Sequence, residues 1–477
     1  MKKYVSLDNL KGFLDKTILI ITISSILLVI ILDSNFLMGF LKESLFPLNY
    51  KILLFSIYVA VFILSSLFLL KKSYSIIQQR QIEFKYKKDY FIVIFIIFFI
   101  LSMTLISNIL QMLFSKSYNS IVFYITSYVS FISTFGFLSI LSSQFFRWYL
   151  KGKNIYILFY GILFSFYCIT LILALVYLTS GLAIHPSTID YSSPSQLRAN
   201  TFSININFQN VIANIYDIFF LISFLLAWTL TILMLKQYVF RIGKYKFWIL
   251  VSLPLFFYLI RYEGIIFTYI NYIGFLKLPQ LGIIYKSLES ALIIAFANSN
   301  IQTSGLFFSF SFLPILLKLK NVPLKGYMKL TLIGMLLLFV SRDFDAIFLN
   351  SLPPGGVITI SFMSIGSYLL FIGITSFLKI ATRDKQLYKD LTFRVENDSE
   401  LLKNIIISEK EIETSKKIKP LIDYSLRWQK EQGYEEMKIE EMHQIINDVI
   451  SEFHKGSYFK SKKKLDSHDN NSDPRSQ

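Results

Sequence analysis

Apolar runs of membrane-spanning length alternate with short basic segments along the first 380 residues, and that alternation carries the topology. Thr17 to Leu32, Ile52 to Leu70, Tyr90 to Phe114, Ile121 to Phe145, Ile155 to Leu178 and Val211 to Leu235 form the first six runs. Each is near the roughly 20 residues that cross a hydrocarbon core of about 30 Å at about 1.5 Å per residue. Lys71, Lys72, Arg80, Lys85, Lys87 and Lys88 follow the second run, Arg147, Lys151 and Lys153 the fourth, and Lys236, Arg241, Lys244 and Lys246 the sixth. Basic loops on alternate sides are what the positive-inside rule requires, so the pattern predicts an all-α, polytopic transmembrane bundle.

The regularity fails between Phe247 and Leu317. Phe247 to Ile260 contains Pro254, Arg261 and Glu263 interrupt, Leu281 to Ala297 carries Lys286 and Glu289, and the polar string Asn298 to Ser304 precedes Leu306 to Leu317. An unpaired charge in hydrocarbon costs about 2.5 to 3.5 kcal/mol, so such a region is expected to line protein or water. The chain enters it after Lys246 and leaves at Lys318, Lys320, Lys325 and Lys329, basic on both sides, so it crosses an even number of times. Two crossings with an irregular Leu281 to Ala297 are expected. With Leu330 to Leu349 and Val357 to Leu378 they make about ten spans, twelve being the alternative.

The ends and the longest loop complete the layout. Met1 to Lys16 is a basic flank without a small-residue cleavage pair after the first run, which predicts an uncleaved first span and a cytoplasmic amino terminus. Thr179 to Gln209 is a Ser-, Pro- and Asn-containing outer loop, expected to be flexible. Composition turns charged beyond Leu378, dividing the chain into a bundle over 1–380, a cytoplasmic helical tail over 381–455 and a disordered basic and polar end over 456–477. In the tail, helix-forming composition covers Glu400 to Lys419. Glu435 to His454 places Met442, Ile446, Val449 and Phe453 on one face, a surface suited to a cytoplasmic protein partner.

A net charge of +17 would suggest nucleic acid if it were spread evenly. Residues 1–380 hold 30 Lys and Arg against 12 Asp and Glu, whereas 381–477 hold 18 against 19. The excess therefore belongs to the membrane part, where it orients spans and meets lipid headgroups, and no nucleic-acid partner is implied. Cys168 is the only cysteine, and the four histidines are scattered through loop and tail without metal-ligand spacing. No P-loop, GxGxxG or GxSxG motif occurs, so no cofactor, metal or catalytic residue is assigned and an enzyme is the least favoured class.

Pro353-Pro354-Gly355-Gly356, Ser361-Phe362-Met363-Ser364 and Ile380-Ala381-Thr382-Arg383 together give the chain a local resemblance to uncharacterised multi-spanning membrane proteins of ammonia-oxidising archaea. The resemblance covers about sixty residues and implies no activity and no site residues.

Candidate binding residues come from charge placed in or beside spans. Asn210, Asn214 and Asp217 lie three and four residues apart, on one helical face. Arg261, Glu263, Arg342, Asp343 and Asp345 fall at outer span ends, and Lys286 and Glu289 on the irregular segment. Together they suggest a polar vestibule with compensating charges, open to the outside, for a ligand or ion. The reading favoured is a sensor, receptor or adaptor of the cell membrane that couples an outward-facing bundle to its cytoplasmic tail. A secondary transporter with a polar intramembrane site is second, and a membrane-embedded enzyme third.

Overall fold

The computed structural model describes residues 7–33, 48–78, 87–115, 117–182, 188–190, 206–236, 243–260, 300–310, 322–341, 355–383 and 404–415, with isolated positions 239, 313, 316 and 420. Its helices are α1 (Leu7–Ile31), α2 (Leu48–Gln78), α3 (Lys87–Ser115), α4 (Ser120–Gly152), α5 (Ile155–Leu182), α6 (Ile206–Lys236), α7 (Lys244–Ile260), α8 (Asn300–Phe310), α9 (Val322–Val340) and α10 (Val357–Arg383). Two short strands, β1 (Ser117–Asn119) and β2 (Thr188–Asp190), pair antiparallel with Ser117 opposite Asp190. The chain forms two compact units, Met1–Glu409 and Lys410–Gln477. In the second, residues 410–415 are helical, the hydroxyls of Thr414 and Ser415 donating to the carbonyls of Lys410 and Glu411.

Six helices among the described residues are long and apolar enough to cross a membrane: Asn49–Ile76, Lys88–Ser115, Ile121–Gly152, Ile155–Thr179, Asn214–Leu233 and Val357–Thr382. Thr17–Ile31 is apolar but shorter. The chain is thus a multi-pass helical membrane protein, and the further crossings expected from the sequence take other forms. In the interrupted region, α7 has 17 residues and α8 only 11, and eleven residues rise about 16 Å, too little to cross. Where a span was expected from Leu330, α9 begins at Val322. Pro323 suits the first turn of a helix, where its missing N–H costs nothing, and the long stems of Lys325 and Lys329 let helix continue through residues expected in a loop. The long loop after α5 is tied down by β2 at Thr188–Asp190. Two helices separate the strands, so both connections lie at the same end of the bundle.

Helix faces distinguish lipid from protein. Along α3, Ile92, Phe95, Phe99, Met103, Leu110 and Leu113 are exposed at three- and four-residue spacing, an apolar stripe that water would penalise and acyl chains accommodate. Only 28% of that span is buried, against 94% of the span in α10. α10 is therefore the central helix, and α1, α2, α3, α4 and α9 pack around it.

Its closest neighbour is α9, and glycine sets the approach. A Cβ on Gly334 would run into the backbone nitrogen of Leu370, one on Gly366 would lie 2.9 Å from the nitrogen of Leu338, and one on Gly373 would lie 2.6 Å from the nitrogen of Thr331. Pairing of 331 with 373, 334 with 370 and 338 with 366 makes the two helices antiparallel. Gly305 of α8 repeats the device, since a Cβ there would lie 2.5 Å from the carbonyl oxygen of Phe339. Small residues let backbones touch where lipid supplies no hydrophobic drive for association.

Longer side chains pin the remaining helices. The Tyr167 hydroxyl of α5 donates to the Leu338 carbonyl at 3.1 Å, and that of Tyr327 in α9 to the Ile76 carbonyl of α2 at 3.1 Å. In α7, Pro254 has no N–H for the carbonyl of residue 250, and Trp228 Nε1 of α6 donates to the adjacent Val251 carbonyl at 2.9 Å.

Gly334→Val is expected to lower the thermal unfolding midpoint in detergent, at a cost of about 2 kcal/mol or more from overpacking. Gly136→Ala, in a helix with nothing within 4 Å of the new Cβ, is expected to be neutral or stabilising by about 0.5 to 1 kcal/mol.

Candidate functional site

The amino end of α10 is built on glycine. Gly356 has φ +77, a conformation that L side chains rarely adopt, and its carbonyl accepts the first helical bond, from the Ile360 amide at 3.0 Å. It therefore occupies the N-cap position. N-cap side chains normally accept the N–H two or three residues on, and glycine has none to offer.

Asp33 of the first helix supplies that function. α1 ends at Ile31 and closes through a wider π-type turn at 32–33, which places Asp33 beyond the apolar span, fully buried against α10. Its Oδ2 accepts the Thr359 amide at 2.8 Å and the Thr359 hydroxyl at 2.9 Å, and the amides of Gly356 and Ile358 also bond the carboxyl. This is an N-cap supplied from another helix, with a carboxylate at the positive end of the α10 dipole. Burial pushes the Asp33 carboxyl up to about 6, although the Thr359 amide, the Thr359 hydroxyl and the Gly356 and Ile358 amides pull it down.

Aromatic and hydroxyl contacts continue along α10. Phe62 of α2 meets Phe362 edge-on at 4.9 Å, and Phe137 of α4 contacts Tyr368 and Phe371. The Ser130 hydroxyl of α4 donates to the Ile360 carbonyl at 2.5 Å. The Ser361, Ser364, Ser367 and Thr375 hydroxyls bond carbonyls of α10 itself, so a helix rich in polar residues stays buried without unmet hydroxyls at those positions.

At the other end of α10, the bundle receives chain from beyond its last span. Residues 404–409 are helical, and Ile405, Ile406 and Ser408 are buried. Ile405 enters an apolar cleft of about 440 Å³ beside Phe145, Tyr160, Phe164, Thr331 and Ile374. The Trp148 Nε1 of α4 donates to Glu409 Oε2 at 2.6 Å. Gly152 permits the approach, because a Cβ there would meet the Ser408 hydroxyl.

The residues nominated from sequence are not brought together among the described residues. Asn210 and Asn214 lie on α6, with Asn214 exposed, in line with the exposed Val211, Ile218 and Leu221. Asp217 is half-buried at the edge of the face formed by Tyr216, Phe220 and Phe224, and it has an interaction partner. Arg261, Glu263, Lys286, Glu289, Arg342, Asp343 and Asp345 lie outside the described residues, as does the tail helix Glu435 to His454. No group of three His, Cys, Asp or Glu able to hold a metal occurs among the described residues.

Sequence reasoning passed over Asp33, Thr359, Trp148 and Glu409. A signal existed for the first: an acid directly after an apolar run, and a helix whose N-cap is glycine and so lacks its own acceptor. Comparison with protein-family models, curated proteins and solved structures finds no match for the chain.

Thr359→Val keeps the β-branched shape and the amide donor but removes the hydroxyl that bonds Asp33. It is expected to destabilise the protein by about 1 to 2 kcal/mol in thermal unfolding. Ser361→Ala, whose hydroxyl bonds only the Val357 carbonyl of its own helix, is expected to change stability by less than about 0.5 kcal/mol.

Proposed function

We propose that this chain is a membrane sensor or adaptor in which the central helix α10 carries a conformational shift from the Asp33 junction to the chain that follows its last span. The observation that supports this reading is the placement of α10. It is the most buried span, it is held at its amino end by Asp33, and at its other end the bundle grips residues 404–409 through Ile405 and the Trp148 to Glu409 bond. A packed helix moves as a rigid element between discrete arrangements, so a change at one end reaches the other.

In this reading the basic-loop side faces the cytoplasm of the cell membrane, as the Lys and Arg distribution requires. The tail then presents its Met442, Ile446, Val449 and Phe453 face to a cytoplasmic protein. A transporter would need a polar site reachable from both sides, and the Asp33 junction lies at one end of the bundle.

Hydrogen exchange of the full chain in lipid nanodiscs tests the coupling. Asp33→Ala removes the cap at one end of α10 and is expected to raise deuterium uptake of residues 404–415 at the far end several-fold, as Trp148→Phe does by breaking the local bond. Gly136→Ala is expected to leave that uptake unchanged. If Asp33→Ala alters exchange only around residues 355–362 while 404–415 keeps its wild-type protection, the signalling role of α10 fails.

A further inference from the structure

The Asp33 carboxyl is held by one oxygen only. While Oδ2 is saturated by Thr359, Oδ1 is buried with no hydrogen-bond partner among the described residues, and the hydroxyl of Tyr58 on α2 is buried and equally without one. These two groups are neighbours, because the Asp33 charge acts directly on the Tyr58 hydroxyl. The register agrees: the Phe62 to Phe362 contact, one turn further along both helices, sets Tyr58 level with Ile358.

An anionic oxygen buried without a donor is strongly disfavoured. A proton on Oδ1 removes the charge and turns the bare acceptor into a donor, and the phenolic oxygen of Tyr58 has lone pairs to accept it. We propose that Asp33 is a proton-binding site, its Oδ1 taking up a proton and donating it in a hydrogen bond to the Tyr58 hydroxyl oxygen while Oδ2 keeps its hold on the amino end of α10. The site concerns this junction alone and does not rest on the signalling role.

The surrounding charges fit a single titrating group. α2 and α10 are the helices packed against α1. On α10 the nearest titratable residue is Tyr368, nine residues beyond Thr359. On α2 it is Tyr58 itself, then Lys51, seven residues earlier, which is buried and has an interaction of its own. Asp15 and Lys16 belong to the opposite half of α1. Because burial raises the carboxyl, the folded chain binds this proton more tightly than the unfolded chain does. The stabilisation from the group is complete below the ordinary carboxylate range and is lost as pH rises through about 6.

Infrared difference spectroscopy of the full chain in nanodiscs, stepped across the region around pH 6, reads the protonated carboxyl directly. A carboxyl carbonyl band is expected to titrate there in the wild type and to be missing in Asp33→Asn. Tyr58→Phe is expected to move its midpoint. Tyr124→Phe, which removes another buried hydroxyl without a hydrogen-bond partner, on α4, is expected to leave it in place. A band that survives Asp33→Asn, a midpoint in the ordinary carboxylate range, or a midpoint indifferent to Tyr58→Phe overturns the assignment. Should Asp33→Asn fail to elute as a monodisperse species, the wild-type midpoint and its response to Tyr58→Phe decide alone.

Discussion

The first amides of a helix have no partner within it, and in a dry interior that debt has to be met by another part of the chain. In this protein the most buried helix starts at a glycine that has no capping side chain, and the missing acceptor comes from Asp33, more than three hundred residues earlier in the sequence. Seating α10 inside the bundle and docking the end of α1 are therefore one event. The contacts further along, from Ser130 and Phe62 to Phe137, lie in a register that this cap helps to set.

What holds the bundle laterally is close approach more than greasy surface. Lipid tails are as apolar as leucine, so burying leucine between helices gains little there. Backbone contact through Gly334, Gly366 and Gly373 gains dispersion instead, and it leaves α9 and α10 as an antiparallel pair with almost no room for adjustment. Hydroxyl groups bonded back to their own helix add polarity at small cost, which explains how a helix containing Ser361, Ser364 and Ser367 is the innermost one.

A stiff central helix with one end capped by a titratable group and the other beside a docked segment is suited to transmission. The two ends differ in chemistry. Asp33 and Tyr58 form a polar point inside an apolar surround, whereas Ile405 and its cleft are apolar, with the single Trp148 to Glu409 bond fixing orientation. Polar groups confer directional response and apolar contacts confer adaptable grip, so a shift originating at the first is received at the second without a continuous polar path.

Hydrophobic run length and basic-loop placement were enough to determine a multi-pass helical membrane protein, and most helix positions follow from them. Both are local properties of the chain: about twenty apolar residues must span, and Lys and Arg must stay out of the core. Start points such as Val322 escaped because lysine stems and Pro323 are compatible with either loop or helix, and packing chose helix. The interrupted region escaped because short apolar pieces do not specify whether they cross. Asn214 and Asp217 looked paired by spacing alone, yet neighbouring helices decide which face is covered, and they left Asn214 exposed while half-covering Asp217. Only the tertiary structure could join Asp33 to Thr359, or Trp148 to Glu409, because a hydrogen bond between residues hundreds of positions apart leaves no periodic trace in the sequence. It exists through the packing of whole helices, which is where this protein places its one buried acid.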